Sequence, residues 1–402
     1  MNGMKRDFTS VAEEKNKKIF PSFFLLFLSV ILTVLIFNYE NISSFANQAA
    51  VGYVTPFETI IVNVDAAKPM HIKTPESVKA IYMSSWVAGS PVYRKRLVDM
   101  IESTELNSVV IDVKDSTGKI AFEMEDPLVK SIGAFENRMP DARSFIKSLH
   151  EKNIYVIARI AVFQDPHVTK VQPEWAVRTK KTGAIWKDRN GLSWANMASR
   201  EFWDYIVAIA RESYKAGFDE LNFDYVRFPS DGNMIDIAYP GFDEGMVTKA
   251  EQLRRFFEYL SENLRLTKAP LSVDLFGMTT TNTDDLNIGQ VLENALPYFD
   301  YVAPMVYPSH YPPTFNGWKK LATVPYELIK FVMEEGVKRT IAASFSPNKL
   351  RPWLQDFDLG AIYTAPMVRD QIQATYDVGL NSWMLWDAGN KYTLSVLEPE
   401  VK

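Results

Sequence analysis

Asp219-Glu-Leu-Asn-Phe-Asp224-Tyr-Val-Arg227-Phe-Pro229 alternates apolar residues with carboxylates and closes on an arginine and a proline. A strand of an α/β barrel is covered on both faces and is therefore nearly all apolar. An acid at its C-terminal end then marks a site, because that end forms the mouth where barrel enzymes place their chemistry. Working outward, seven further segments read as strands of the same kind: 80–86, 108–115, 155–163, 271–278, 301–308, 341–345 and 381–387. Helical patterns lie between them at 92–104, 142–152, 199–216, 246–266, 326–335 and 366–378. Ser199 is placed as an N-cap, and Gly217 and Gly379 as stop signals. Strands alternating with helices imply a parallel sheet with crossover helices. Eight of them predict closure into a single (β/α)8 TIM barrel.

Composition narrows the function. Of 402 residues, 47% are hydrophobic and 23% charged, as in an ordinary globular protein, and one barrel accommodates well over half of that length. A net charge of -5 argues against a nucleic-acid partner, which would leave a basic footprint. Cysteine is absent, which removes disulfides, thiolate metal sites and thiol nucleophiles together. The four histidines are scattered and form no His-Glu-x-x-His pattern. Neither Gly-x-Ser-x-Gly nor a P-loop occurs. Nothing identifies a cofactor, although the carboxylates of Asp112, Asp115 and Asp274 leave a hard divalent cation open.

The N-terminus divides into a basic stretch at 1–19, an uncharged apolar run at 20–38 and a mixed segment at 39–75 that reads as a stalk. The apolar run is long enough to cross a bilayer, and the basic flank would hold its N-terminal side in the cytoplasm. The expectation is a transmembrane signal anchor with the barrel, 76–402, outside the cell. A cleaved signal is the rival, since Ser44-Phe-Ala46 offers small residues at the cleavage positions.

Parity along the strands tells which side chains enter the barrel. Val109, Ile111 and Val113 make one face, so Asp112 and Lys114 are expected to point inward; the third strand adds Arg159, the fourth Asn222 and Asp224, and the fifth Ser272 and Asp274. Such a cluster could be a buried network that merely neutralises itself, a weak source of stability. Its position near the barrel mouth favours chemistry. Two carboxylates flanked by aromatics suit glycosidic cleavage, in which one acid protonates the leaving oxygen while the other attacks carbon or activates water. Asp224 is expected as nucleophile or base and Asp274 as acid/base, with Arg227 holding Asp224 ionised.

Asp112, Lys114, Arg159 and Arg227 are assigned to substrate binding. Trp86, Tyr307 and Trp386 stand at strand ends as stacking platforms, His310 follows the sixth strand, and Trp175 belongs to a long loop at 164–195 that holds three tryptophans.

The segments Val110-Ile-Asp-Val-Lys-Asp115, Pro173-Glu-Trp-Ala176, Phe223-Asp-Tyr-Val-Arg-Phe-Pro229, Ala303-Pro-Met-Val-Tyr-Pro308 and Trp383-Met-Leu-Trp-Asp387 resemble, in order, the bacterial "putative glycoside hydrolase" domain family, an uncharacterised family with a predicted TIM barrel. That resemblance implies carbohydrate hydrolysis. A more distant likeness to chitinase-type barrels fails at one point: Val226 stands where those barrels carry the proton-donating Glu. The expected partner is a cell-surface or extracellular polysaccharide or glycoconjugate. The alternative is a noncatalytic carbohydrate-binding wall protein on a degenerate barrel.

Overall fold

The computed structural model describes residues 71–400. The predicted anchor at 20–38 lies outside the described residues, as does nearly all of the predicted stalk. Among the described residues no helix is long and apolar enough to cross a membrane.

Eight parallel strands close into a barrel in sequential order: β1 (Lys79–Met83), β2 (Ser108–Lys114), β3 (Tyr155–Ala161), β4 (Glu220–Asp224), β5 (Leu271–Phe276), β6 (Tyr301–Met305), β7 (Trp353–Gln355) and β8 (Trp383–Trp386). The longer helices are α1 (Pro91–Ser103), α2 (Ala142–His150), α3 (Arg200–Ala216), α4 (Lys249–Leu264), α5 (Pro325–Ala342) and α6 (Ala365–Asp377). Ser199 caps α3 by accepting from the Phe202 N–H, and Gly217 ends it at φ 116°, a left-handed conformation that a side chain would strain. The outward residues Val109, Ile111 and Val113 of β2 pack under the helices, while Ala80, Tyr82, Val110, Ile157, Trp353 and Met384 form a separate core inside the barrel.

The seventh strand departs from expectation. Residues 341–345 are the end of α5 and its cap rather than a strand, and α5 runs on past Gly336. Gly336 is not a stop signal: it lets the helix approach Thr280, whose Cγ2 would lie 3.2 Å from an added Cβ. The true β7 is three residues long and meets β6 through the single register pair Met305↔Trp353. A three-residue strand is too short to carry a legible alternation.

The floor of the barrel, at the N-terminal ends of the strands, is sealed by polar groups. Arg351 donates to both Glu220 oxygens at 2.8 and 3.1 Å and stacks on Tyr301 at 3.9 Å; Tyr155 reaches Glu220 at 3.1 Å and Thr74 at 3.0 Å. Asp219, at the foot of β4, accepts from the N–H groups of Ile72 and Val156 at 2.9 and 2.8 Å and pairs with His150 at 2.9 Å. The first acid of the opening motif is therefore an anchor for the floor.

Candidate active site

At the opposite end β4 delivers Asp224, and the chain then turns out of the barrel. Tyr225 adopts φ 54°, and its N–H bonds the Asp224 Oδ1 at 2.6 Å. A left-handed non-glycine residue is costly and concentrates at functional sites. Its consequence is geometric: strict alternation would set Tyr225 and Arg227 against Asp224, yet all three line one cavity.

That cavity, of about 380 Å³, is also lined by Arg159, Asp274, Tyr307, His310, Trp353 and Trp386. Its volume falls within the range of small-molecule sites. Arg159, fully buried on β3, donates from Nη1 to Asp112 Oδ1 at 2.6 Å and from Nη2 to Asp224 Oδ2, while its Nε lies 4.0 Å from Asp274 Oδ2. Tyr82 completes the shell of Asp112 through a 2.5 Å bond to Oδ2. Burial pushes the Asp112 carboxyl up, against the opposing pull of Arg159 and Tyr82. Although burial alone would lower Arg159, the charges of Asp224 and Asp112 hold it well above its ordinary value.

Asp274 is the distinctive acid. Both the Asn222 Nδ2 and the Trp353 Nε1 donate to its Oδ1, each at 2.9 Å. Burial, reinforced by the nearby Asp224 charge and only partly offset by Arg159, pushes its pKa up to about 8. This shift favours the protonated form at neutral pH. With two N–H donors on Oδ1, Oδ2 is the oxygen left free to carry a proton.

Trp386 stacks on Tyr82 with ring centroids 4.0 Å apart, stands edge-on to Trp353 at 5.4 Å and lies under Arg159 at 4.9 Å. Tyr307 packs edge-on to His310 at 5.3 Å and to Phe357 at 5.6 Å. The structure thus brings Asp224, Asp274, Arg159, Arg227, Tyr307, His310 and Trp386 to one cavity, with Asp112 immediately behind Arg159.

Three expected residues lie elsewhere. Lys114 does not reach the cavity: a register irregularity between Asp112 and Lys114 breaks the parity, and the ammonium is buried against Asp165 at 2.9 Å and the Ala161 carbonyl at 2.6 Å. Trp175 is buried in the outer core against Phe202 and Tyr205. Trp86 is 61% exposed on the rim, with the Arg138 guanidinium 4.8 Å from its ring, and does not line the cavity. Arg227 reaches the cavity but forms no ion pair with Asp224 within 4.0 Å; Arg159 takes that place.

Sequence reasoning missed Trp353, because its strand was missed, and Tyr82, whose inward parity on β1 was a usable signal. The loop at 164–195 is tied down: Arg178–Thr179 pairs antiparallel with Ile237–Ala238 from the loop after β4. The Trp186 indole donates to the Asn233 carbonyl at 3.0 Å, and that of Trp194 to Asp188 at 3.0 Å. Trp186 and Trp194 thus brace the loop, while Trp175 packs in the outer core.

Residues 80–392 match the family described as "Putative glycosyl hydrolase domain". The chain belongs to this family. A solved structure of a hypothetical protein from Ruminiclostridium thermocellum ATCC 27405 is 32% identical, covering 52% of this chain and 98% of its own, with a TM-score of 0.44. The PgaB (BpsB) glycoside hydrolase domain from Bordetella bronchiseptica is similar in fold at a TM-score of 0.58 and 14% identity, covering 78% of this chain and 94% of its own. No curated protein matches the chain. Membership of this family supports a general glycosidase role.

Proposed function

We propose that this barrel hydrolyses glycosidic bonds in a polysaccharide or glycoconjugate, with Asp274 as general acid and Asp224 as nucleophile or general base. One observation carries the reading: two carboxyl groups line the same cavity in different electrostatic settings, Asp224 ion-paired to Arg159 and Asp274 buried, with its pKa pushed up to about 8 by burial and the Asp224 charge. Environments that separate two acids in this way assign them opposite roles. Asp274 Oδ2 would give its proton to the leaving oxygen as the glycosidic bond breaks. Asp224 would attack the anomeric carbon, or take a proton from the water that does. Trp386 offers a ring face for the apolar side of a sugar.

The apolar run at 20–38, with its basic flank, supports placing the barrel outside the cell on a membrane anchor, where such polymers are found. The test is reducing-end release across a panel of cell-wall and extracellular polysaccharides. Asp224→Asn and Asp274→Asn are each expected to lower the rate by about 10²–10⁴-fold without loss of folding. Glycan binding with no release by the unaltered chain would favour the noncatalytic alternative.

A further inference from the structure

Arg227 differs from the other guanidinium groups packed into this barrel. Arg138, Arg159 and Arg351 each bond a carboxylate directly. Arg227 is half-buried in the cavity wall, its guanidinium 4.7 Å from the Trp194 ring centroid and 5.0 Å from that of Phe276. Its hydrogen bonds within the protein run from Nη1 alone, to the Phe228 carbonyl and the Ser230 hydroxyl, both at 3.2 Å. Neither acceptor carries charge. Among the described residues Nε and Nη2 have no acceptor, and they are not among the sealed unpartnered atoms, so they remain accessible. Burial pulls the Arg227 pKa down, as it does for a cation whose charge is not compensated at contact distance.

A guanidinium partly withdrawn from water, with no carboxylate at contact distance, gains when a counter-ion arrives with a ligand. Its planar fork of N–H groups matches the oxygens of a carboxylate or a phosphate. Arg227 shares its cavity with Asp224 and Asp274, so an anion docked there belongs to the molecule being cleaved. The role of holding Asp224 is already taken by Arg159.

We propose that the substrate is an acidic glycan, and that an oxyanion on a sugar bound in the cavity, a carboxylate or a phosphate, docks on Arg227. This rests on the glycosidase reading above and adds a substrate class to it.

The test is binding to the full-length chain carrying Asp224→Asn, which slows turnover during the measurement. The probes are polygalacturonate, alginate and hyaluronate, each against its carboxyl-reduced neutral form, and a phosphomannan against its dephosphorylated form. At least one acidic polymer is expected to bind ten-fold or more tightly than its neutral counterpart, and to weaken as salt is raised. Adding Arg227→Gln should bring that ratio close to one, and Arg227→Lys should restore part of it. Which pair shows the preference separates carboxylate from phosphate. Equal binding of acidic and neutral forms, a preference that survives Arg227→Gln in a folded protein, or no binding to any probe would each overturn the proposal.

Reducing-end release by the unaltered chain is read separately. Acid-selective binding without release would sink hydrolysis and leave the Arg227 site standing, whereas release without acid preference would do the reverse.

Discussion

At the scale of single residues, Asp274 links stability to pH. An aspartate is deprotonated above about pH 4 in an unfolded chain, whereas the folded protein keeps this proton until about pH 8. Between those values the native state binds the extra proton, so stability falls as pH rises. Asn at position 274 mimics the protonated acid, since its oxygen can accept from Asn222 and Trp353 and it cannot ionise. Asp274→Asn is therefore expected to raise Tm at neutral pH, with the advantage over the unaltered protein widening from about pH 4 to about pH 8; thermal melts across that range decide it. Trp353 gives a second handle, because its indole N–H bonds Asp274 and reports its charge. In ¹⁵N-tryptophan-labelled protein one indole resonance should titrate near pH 8, vanish in Trp353→Phe and lose its titration in Asp274→Asn. Trp353→Phe removes a donor that favours the charged carboxylate, so the alkaline limb of activity should move to higher pH. An unmoved limb would reduce Trp353 to packing.

Elements decide where such residues can be found from sequence. Asp112, Arg159, Asp224 and Asp274 were legible because they lie inside regular strands, where period-two alternation fixes the facing side. Lys114 was placed inward wrongly, and Arg227 was placed at the site but with the wrong partner, for the same physical reason in two forms: a register irregularity beside Lys114 and a left-handed Tyr225 before Arg227 each break the alternation locally. β7 was hidden because three residues hold no pattern, while the apolar end of α5 supplied a false one. The packing of α5 is itself testable. Gly336 faces Thr280, which belongs to the turn Gly277–Thr280 that follows β5 into the cavity wall. Gly336→Leu would gain about 1 kcal/mol of helix propensity but overfill this contact at a cost of about 1–3 kcal/mol. The expected net result is a lower urea midpoint and, through the displaced wall, a raised KM.

For the whole molecule, the two ends of the barrel use charge differently. The floor pairs Arg351 with Glu220 out of water, and neither residue lines the cavity at the mouth, which assigns the pair a structural role. Glu220→Gln would leave a buried guanidinium uncompensated and should cost about 3–5 kcal/mol of stability by denaturant unfolding. A change in activity without a loss of stability would refute that assignment. The mouth gathers Asp224, Asp274, Arg159 and Arg227 from strands and loops far apart in the chain.

The sequence by itself determined the barrel, because seven correctly read strand patterns separated by amphipathic helices have few ways to bury both faces, and it determined which acids face inward wherever the strands are regular. Only the tertiary structure decided that Arg159, not Arg227, holds Asp224, that Trp353 and Asn222 bond the buried Asp274, and that Trp175 and Lys114 lie away from the cavity. Those are matters of distance between segments that are remote in sequence, and periodicity within one strand carries no information about distance across the barrel.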